Sequence, residues 1–465
     1  MVDGICYNIL SISDRTVEVT HSVESMTKTY TAYGYFNKKV FNIPEKVTWE
    51  GIEWTVIGIG YQAFFDSTVN SLTLPKTIKR IRGMAFEFVE PLKLEWDMEE
   101  MGIEELDARW DGGNCSVWTG TIRYPENCTI LWLDGFPQYD PVYTPEHMYY
   151  NWPGLASYNS SISQLIYPDR DDLAPQAIGS TSLKHVTLPY HMKRAPLFNR
   201  CANLEELYLN NIDIIDKTLC IESSGIKRVY LGKAPIREFP QPYSGSDKIF
   251  DQCPNLKDII VDCDEPQDLW ETAFTNGQYV GTTLWVPIGT ADKYKSAKGW
   301  KNFMKIKEGR PDDSMCMVHT ENSDNGSVEM LNTSKKANYN TDFVNVNGNA
   351  SFVITPDEGM TVDSVIVNGI DMTSSVTTAP ANVRAKRLRR AASQTNFMLT
   401  LNNIKRNTNV RVVYKEGNGG ETFIRNISNT TPAKDTWYTI DGRQVETKPT
   451  KRGVYIHNNK KVFVP

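Results

Sequence analysis

A short pattern of apolar positions recurs along this chain. An aliphatic residue is followed by two variable residues, a second aliphatic residue, one variable residue and a third aliphatic residue. Leu183, Val186 and Leu188 show it, as do Leu204, Leu207 and Leu209. Ile226, Val229 and Leu231 repeat it, then Leu256, Ile259 and Val261, and it also lies earlier, at Val69, Leu72 and Leu74. The last two apolar positions alternate with a period of two, which predicts a short strand with one face inward. The step from Leu183 to Leu204 is 21 residues, from Leu204 to Ile226 22, and from Ile226 to Leu256 30. One turn of chain this short cannot bury its own apolar face, so the pattern predicts coils that stack on one another. Pro75 and Pro189 follow the strand positions and stop pairing there. Ala63 beside Phe64 and Ala85 beside Phe86 put a small residue next to a large one, as suits the return side of a coil.

Different patterns flank the repeats. Strand-like runs occupy 4–10, 16–20, 40–44 and 54–57. A last strand is expected at 284–287, and Ala291, Tyr294, Ala297, Trp300 and Phe303 then follow near-helical spacing. Residues 95–175 fit the repeat poorly and read as irregular coils with long loops. They carry five of the eleven tryptophans, Trp96, Trp110, Trp118, Trp132 and Trp152. Residues 309–314 read as a linker. Six strand signals between 315 and 416 predict an all-β module, with sandwich and β-grasp both open, and Asn368-Gly369 predicts a hairpin turn. A glycine-rich stretch at 417–420 leads to a last β segment.

The motifs carry a resemblance. Leu74, Pro75, Ile78, Ile81, Ala85 and Phe86, with Phe198, Cys201, Leu204 and Phe250, Cys253, Leu256, resemble the BspA-like leucine-rich repeats of bacterial surface proteins of the Bacteroides group. The resemblance implies a mainly β chain with short helices. It divides into an N-terminal β cap at 1–55, a leucine-rich-repeat solenoid at 56–309 with a helical C-terminal cap at 284–309, the all-β module at 315–416 and a β tail at 421–465. The tail is similar to the C-terminal domain that sorts proteins through type IX secretion. Cys201 and Cys253 would be buried spacers. The implied role is that of a non-enzymatic, secreted or cell-surface, adhesin-like protein whose repeats bind a host or bacterial surface protein.

Composition narrows the partners. Lys plus Arg is 50 and Asp plus Glu 56, a net charge of -6, which argues against nucleic acid, whose phosphates need a basic face. No apolar run approaches the length of a membrane-spanning helix. Met1 is followed by Val2, Asp3 and Gly4 with no leader pattern, which fits either a cytosolic protein or a mature form behind an added start Met; the resemblance implies the exported form, secreted or on the outer surface. The eight cysteines make no C-x-x-C pair; Cys115 with Cys128 is the disulfide to test. The six histidines make no H-E-x-x-H, and neither a nucleophile elbow nor a phosphate loop occurs, so no enzyme, metal or cofactor is expected.

The remaining candidates each have a plain structural reading. His185 reads as an exposed strand residue. Asp169, Asp171 and Asp172 read as a solvated loop, against a cation or acid/base cluster. Glu99, Glu100, Glu104 and Glu105 read as a helix face, against a paired-carboxylate site. Arg384, Lys386, Arg387, Arg389 and Arg390 read as a solvated loop, against an anion site. The aromatic residues Trp118, Trp132, Tyr139, Tyr143, Tyr149, Tyr150 and Trp152 are the ligand-binding candidates, because aromatic faces stack on sugars and dominate protein contacts. Their competing reading is that they fill gaps between uneven coils. A glycan is the alternative ligand to a protein, and a monomer is expected.

Overall fold

The computed structural model describes the chain except residues 22–34, 36–37, 84, 87–88, 90–91, 108–116, 126–128, 133–160, 170–176, 210, 217, 239–245, 322, 332–339, 381–394, 418–436, 440–443, 446–452, 458–459 and 465. It is mainly β with few and short helices. The chain starts with an antiparallel hairpin, Cys6–Ser11 against Thr16–Thr20. Thr16–Thr20 then pairs in parallel with Ile52–Ile59, and Val19 faces Ile59. A second hairpin joins Lys46–Trp49 to Ile52–Ile59 through Glu50 and Gly51, both at positive φ. Such a two-residue turn matches the right-handed twist of the flanking strands.

From there parallel pairing dominates up to residue 308. Ile52–Ile59, Arg80–Ile81, Glu105–Asp107 and Thr129–Trp132 form one ladder. Thr119–Arg123, Ser161–Ile166 and His185–Thr187 form the next. Glu206–Tyr208, Arg228–Gly232, Asp258–Val261, Thr283–Val286 and Lys305–Glu308 form a third. The coils also pair on their return sides. Ala177–Ile178, Leu197–Asn199, Cys220–Ile221 and Phe250–Asp251 make one parallel ladder, and His191–Arg194 with Asn211–Ile214 another. Most of these parallel partners are 20 to 30 residues apart, as stacked coils require, and Thr119 and Ser161 are 42 apart.

The apolar pattern explains the packing. Leu183, Leu204, Ile226, Leu256 and the inward strand residues Leu207, Val229 and Ile259 are all buried in one continuous core. Buried aromatics run through that core from coil to coil: Phe41 meets Phe64 at 5.2 Å, Phe64 stacks on Phe86 at 5.6 Å, and Phe86 meets Trp118 at 5.8 Å. Cys201 and Cys253 are buried free thiols, as expected. The Cys201 thiol donates to the Ile178 carbonyl of the preceding coil, and Cys253 to that of Cys220, each at 3.7 Å. Burial pushes the Cys201 thiol up to about 11. Cys115 and Cys128 lie outside the described residues.

The array ends in helix Asn276–Gly281, whose Thr275 and Gln278 form a capping box, helix Ala291–Ser296, and a 3-10 turn Trp300–Asn302. Phe274, Tyr279, Tyr294, Trp300 and Phe303 seal that end. The expected helix over 291–303 is therefore broken in two, at an extended Ala297 and at Gly299 with φ 78°.

Residues 315–416 build two sheets on a common core. One runs Thr341–Asn345, Met315–Thr320, Thr408–Glu416, Met360–Val367, Ile370–Asp371; the other runs Gly326–Leu331, Gly348–Pro356, Phe397–Ile404, Thr377–Thr378. Val318, Phe352, Ile354, Val365, Leu399 and Val410 are fully buried between them, so the arrangement is a sandwich. Asn368 and Gly369, both at positive φ, make the predicted hairpin. A last antiparallel sheet has the order Gln444–Val445, Trp437–Thr439, Gly453–His457, Lys460–Val464.

Candidate functional site

The outward side of the strand ladders is where repeat coils present side chains in rows. On the ladder that runs from Thr16–Thr20 through Ile52–Ile59 and Arg80–Ile81 to Glu105–Asp107, that row is charged and internally paired. Arg80 lies between Glu18, 3.8 Å from Nε, and Glu105, 3.4 Å from Nη2, and Arg82 Nη1 contacts Glu105 at 2.5 Å. A Cβ on Gly58 would lie 2.4 Å from Arg80 Cγ, so glycine is needed there for the side chain to cross its coil. Burial raises the Glu18 carboxyl above its usual range, and Arg82 opposes that rise.

On a different ladder, the one that starts at Glu206–Tyr208, the row is covered. Tyr208, Tyr230 and Ile260 form a separate buried cluster with Met317 and Phe343 of the 315–416 sandwich, and Tyr190, Trp285 and Met315 pack at its margin. Tyr208 stacks on Tyr230 at 4.1 Å, and Phe343 sits 4.5 Å from Tyr208 on a tilted plane. Polar contacts ring this cluster. Arg310 Nη2 donates to both carboxylate oxygens of Asp262 at 2.7 Å, and Asn407 Nδ2 donates to the same group at 3.1 Å. Arg228 binds Glu206 at 2.7 Å and Asp313 at 2.8 Å. At the other margin His319 lies flat on Tyr190, with ring centroids 3.6 Å apart. Asp169 accepts from the Tyr190 amide at 2.7 Å and from Asn340 Nδ2 at 3.2 Å, and its Oδ2 is 3.8 Å from His319 Nδ1. Burial holds the His319 imidazole down, to about 3, and the neighbouring His191 adds to that; the Asp169 carboxylate opposes it.

Three sequence expectations are corrected by this contact. The stretch 309–314 is not a free linker, because the Arg310 side chain is 5% exposed and Ser314 is buried. Asp169 is not a solvated loop residue; its side chain is 8% exposed. His185 is half-buried and lines a cleft. A fourth correction lies elsewhere: Glu105 belongs to strand Glu105–Asp107, and no helix spans 99–105.

The cleft is about 370 Å³. It opens where the strand ladder is interrupted. His185–Thr187 and Glu206–Tyr208 belong to successive coils, yet they fall in different sheets. The same two coils remain joined behind, where Phe198 pairs with Ile178 and the Asn203 amide donates to the Thr181 carbonyl. Lys184, His185 and Thr187 line one lip, Asn203, Glu205 and Glu206 the other, and Met315 and Phe343 form the wall from the sandwich.

Trp118 is 1% exposed, in edge contact with Phe86 and Trp96, so it fills the core and has no face for a ligand. Trp132 ends the strand Thr129–Trp132. Tyr139, Tyr143, Tyr149, Tyr150 and Trp152 lie outside the described residues, as do Asp171, Asp172 and the basic run 384–390. The covered face went unread in the sequence, although it left a trace there. The residue between the two inward strand positions is Thr73 and Thr187 in earlier coils, then Tyr208, Tyr230, Ile260 and Trp285. That change from polar to large apolar marks where a partner covers the face. Among the described residues no cluster of three or more His, Cys, Asp or Glu could hold a metal, and no helix is long and apolar enough to cross a membrane.

A family model for the BspA type leucine rich repeat region, in six copies, matches residues 8–98. No curated protein matches. Among solved structures, a leucine-rich repeat protein from Bacteroides ovatus is similar at 17% identity, over 66% of this chain and 78% of that one, with a TM-score of 0.35. A leucine rich cell surface protein from Faecalibacterium prausnitzii gives 13% identity, 67% and 94% coverage and a TM-score of 0.28. The pneumococcal vaccine antigen PcpA gives 14%, 66%, 98% and 0.23.

Proposed function

For this chain, which carries leucine-rich repeats of the BspA type, we infer an adhesin-like role on the outer cell surface or in secreted form: a non-enzymatic, monomeric protein that binds a host or bacterial surface protein through its strand face. One observation carries the reading. The later coils already hold a folded protein surface on that face, through stacked tyrosines ringed by charged pairs. A second ladder in the earlier coils, Thr16–Thr20 with Ile52–Ile59, Arg80–Ile81 and Glu105–Asp107, bears Glu18, Arg80, Arg82 and Glu105, takes no part in the sandwich cluster, and would offer a partner a charged strand face of its own. It adjoins the aromatic-rich stretch 95–175, where the contact would extend to Tyr139, Tyr143, Tyr149, Tyr150 and Trp152. On this reading the chain divides as the sequence suggests, with the sandwich a docked part of the array.

The test is direct binding of the full chain to purified extracellular matrix proteins on a sensor surface. Arg82→Glu is expected to weaken binding at least tenfold, and 0.5 M salt to weaken it further, about as expected for exposed charge pairs. Absence of binding to any of them, or binding indifferent to Arg82→Glu and to Trp152→Ala together, removes the reading.

A further inference from the structure

We propose that the cleft between the strands His185–Thr187 and Glu206–Tyr208 is a binding site for a neutral sugar unit of a glycan. This ligand is separate from the protein partner proposed above.

The cleft exists because the ladder opens at one step. Strands of successive coils pair on either side of this step, and the two coils stay joined on their return side. The separation is small. Cα atoms of the two strands still approach within 8 Å, whereas a third strand between them needs a gap of about 9.5 Å. An inserted peptide strand is thereby excluded, and a compact ligand is favoured. A volume of about 370 Å³ lies at the lower end of the range for small-molecule sites.

The lining specifies the chemistry. Glu205 is paired with Lys227 at 2.5 Å, and Glu206 with Arg228 at 2.7 Å. These carboxylates retain acceptor lone pairs and present little net charge, which suits hydroxyl groups better than ions. Lys184 and Asn203 bring donors to the same opening, while Phe343 and Met315 give it an apolar wall. A ligand with hydroxyls on its rim and C–H groups on its face matches both halves, and that is a pyranose. The wall belongs to the docked sandwich, so the site is complete only in the joined chain.

The experiment is an array of neutral, sialylated and sulfated oligosaccharides probed with the full chain. Retention confined to neutral glycans is expected. Lys184→Ala with Glu205→Ala, both on exposed side chains, is expected to cut it at least tenfold with an unchanged melting curve. His185→Trp, which fills the cleft, is expected to do the same, and Trp152→Ala to leave retention unchanged. The proposal is overturned by no retention of neutral glycans, by retention of charged glycans alone, or by retention that survives the double substitution. Retention abolished by Trp152→Ala but intact in the double variant also overturns it, placing the sugar in the aromatic stretch. Loss of matrix-protein binding by Arg82→Glu reports on the adhesin reading independently of all four outcomes.

Discussion

Single residues show how closely the coils approach. A Cβ on Gly225 would lie 2.5 Å from the Ala202 carbonyl oxygen and 2.8 Å from that of Cys201, both backbone atoms of the preceding coil. Neither can move without separating the coils. Gly225→Ala is expected to cost about 1–3 kcal/mol, read from urea unfolding, whereas Gly281→Ala, with nothing within 4 Å, should cost almost nothing. His319 gives a pH effect of defined sign. Its imidazole is held down to about 3 when folded and returns to 6.5 when unfolded. The unfolded chain therefore binds the extra proton between those values. Its stabilising effect is fully present above pH 6.5 and is lost as the pH falls toward 3. His191, Tyr190 and Asp169 face the ring, and the Asp169 carboxylate reduces the effect. Lowering the pH from 7 to 5 should cost about 2 kcal/mol through this group alone. Urea titrations at both values should show a smaller loss in His319→Gln; an equal loss would rule out the assignment.

At the level of elements, the coils were readable and the contact between elements was not. Leu183, Leu204, Ile226 and Leu256 mark buried positions because a two-residue alternation after a fixed spacing has a single inward solution. Asn203 and Asn255, which precede two of them, donate to the Thr181 and Ser224 carbonyls of the coil before and so hold successive turns in register. Trp118 shows the limit of such reading. Aromatic density alone cannot separate a core side chain from an exposed one, and Trp118 lies buried against Phe86 and Trp96. The Arg310–Asp262 pair was hidden because its partners are 48 residues apart and nothing local relates them. Asp262→Ala would leave the Arg310 guanidinium buried without its carboxylate, a change that typically costs about 3–5 kcal/mol. Limited proteolysis should then cleave near 309–314 much faster than in the parent chain. Unchanged protection would mean that the aromatic cluster alone holds the junction.

For the whole molecule, the joined surface decides cooperativity. Repeat arrays tend to unfold in segments because each coil touches only its neighbours. Here one end of the array also contacts a sandwich formed by residues far along the chain, through Tyr208, Tyr230, Ile260, Met317 and Phe343. Loss of the sandwich would expose three large side chains of successive coils, and loss of those coils would expose Met317 and Phe343. Each state therefore raises the free energy of the other. Truncating a buried aromatic costs about 3–5 kcal/mol, so two such changes at the junction exceed what a few polar contacts at its margin can restore. Calorimetry of the full chain should show residues 315–416 melting together with the coils that bear Tyr208 and Tyr230. The double variant Tyr230→Ala, Phe343→Ala should resolve that transition into two, with the sandwich retaining its own core of Phe352, Ile354 and Val410. Two separate transitions already in the parent chain would show the contact to be too weak to couple them. In that case the strand face would be open to partners along its full length.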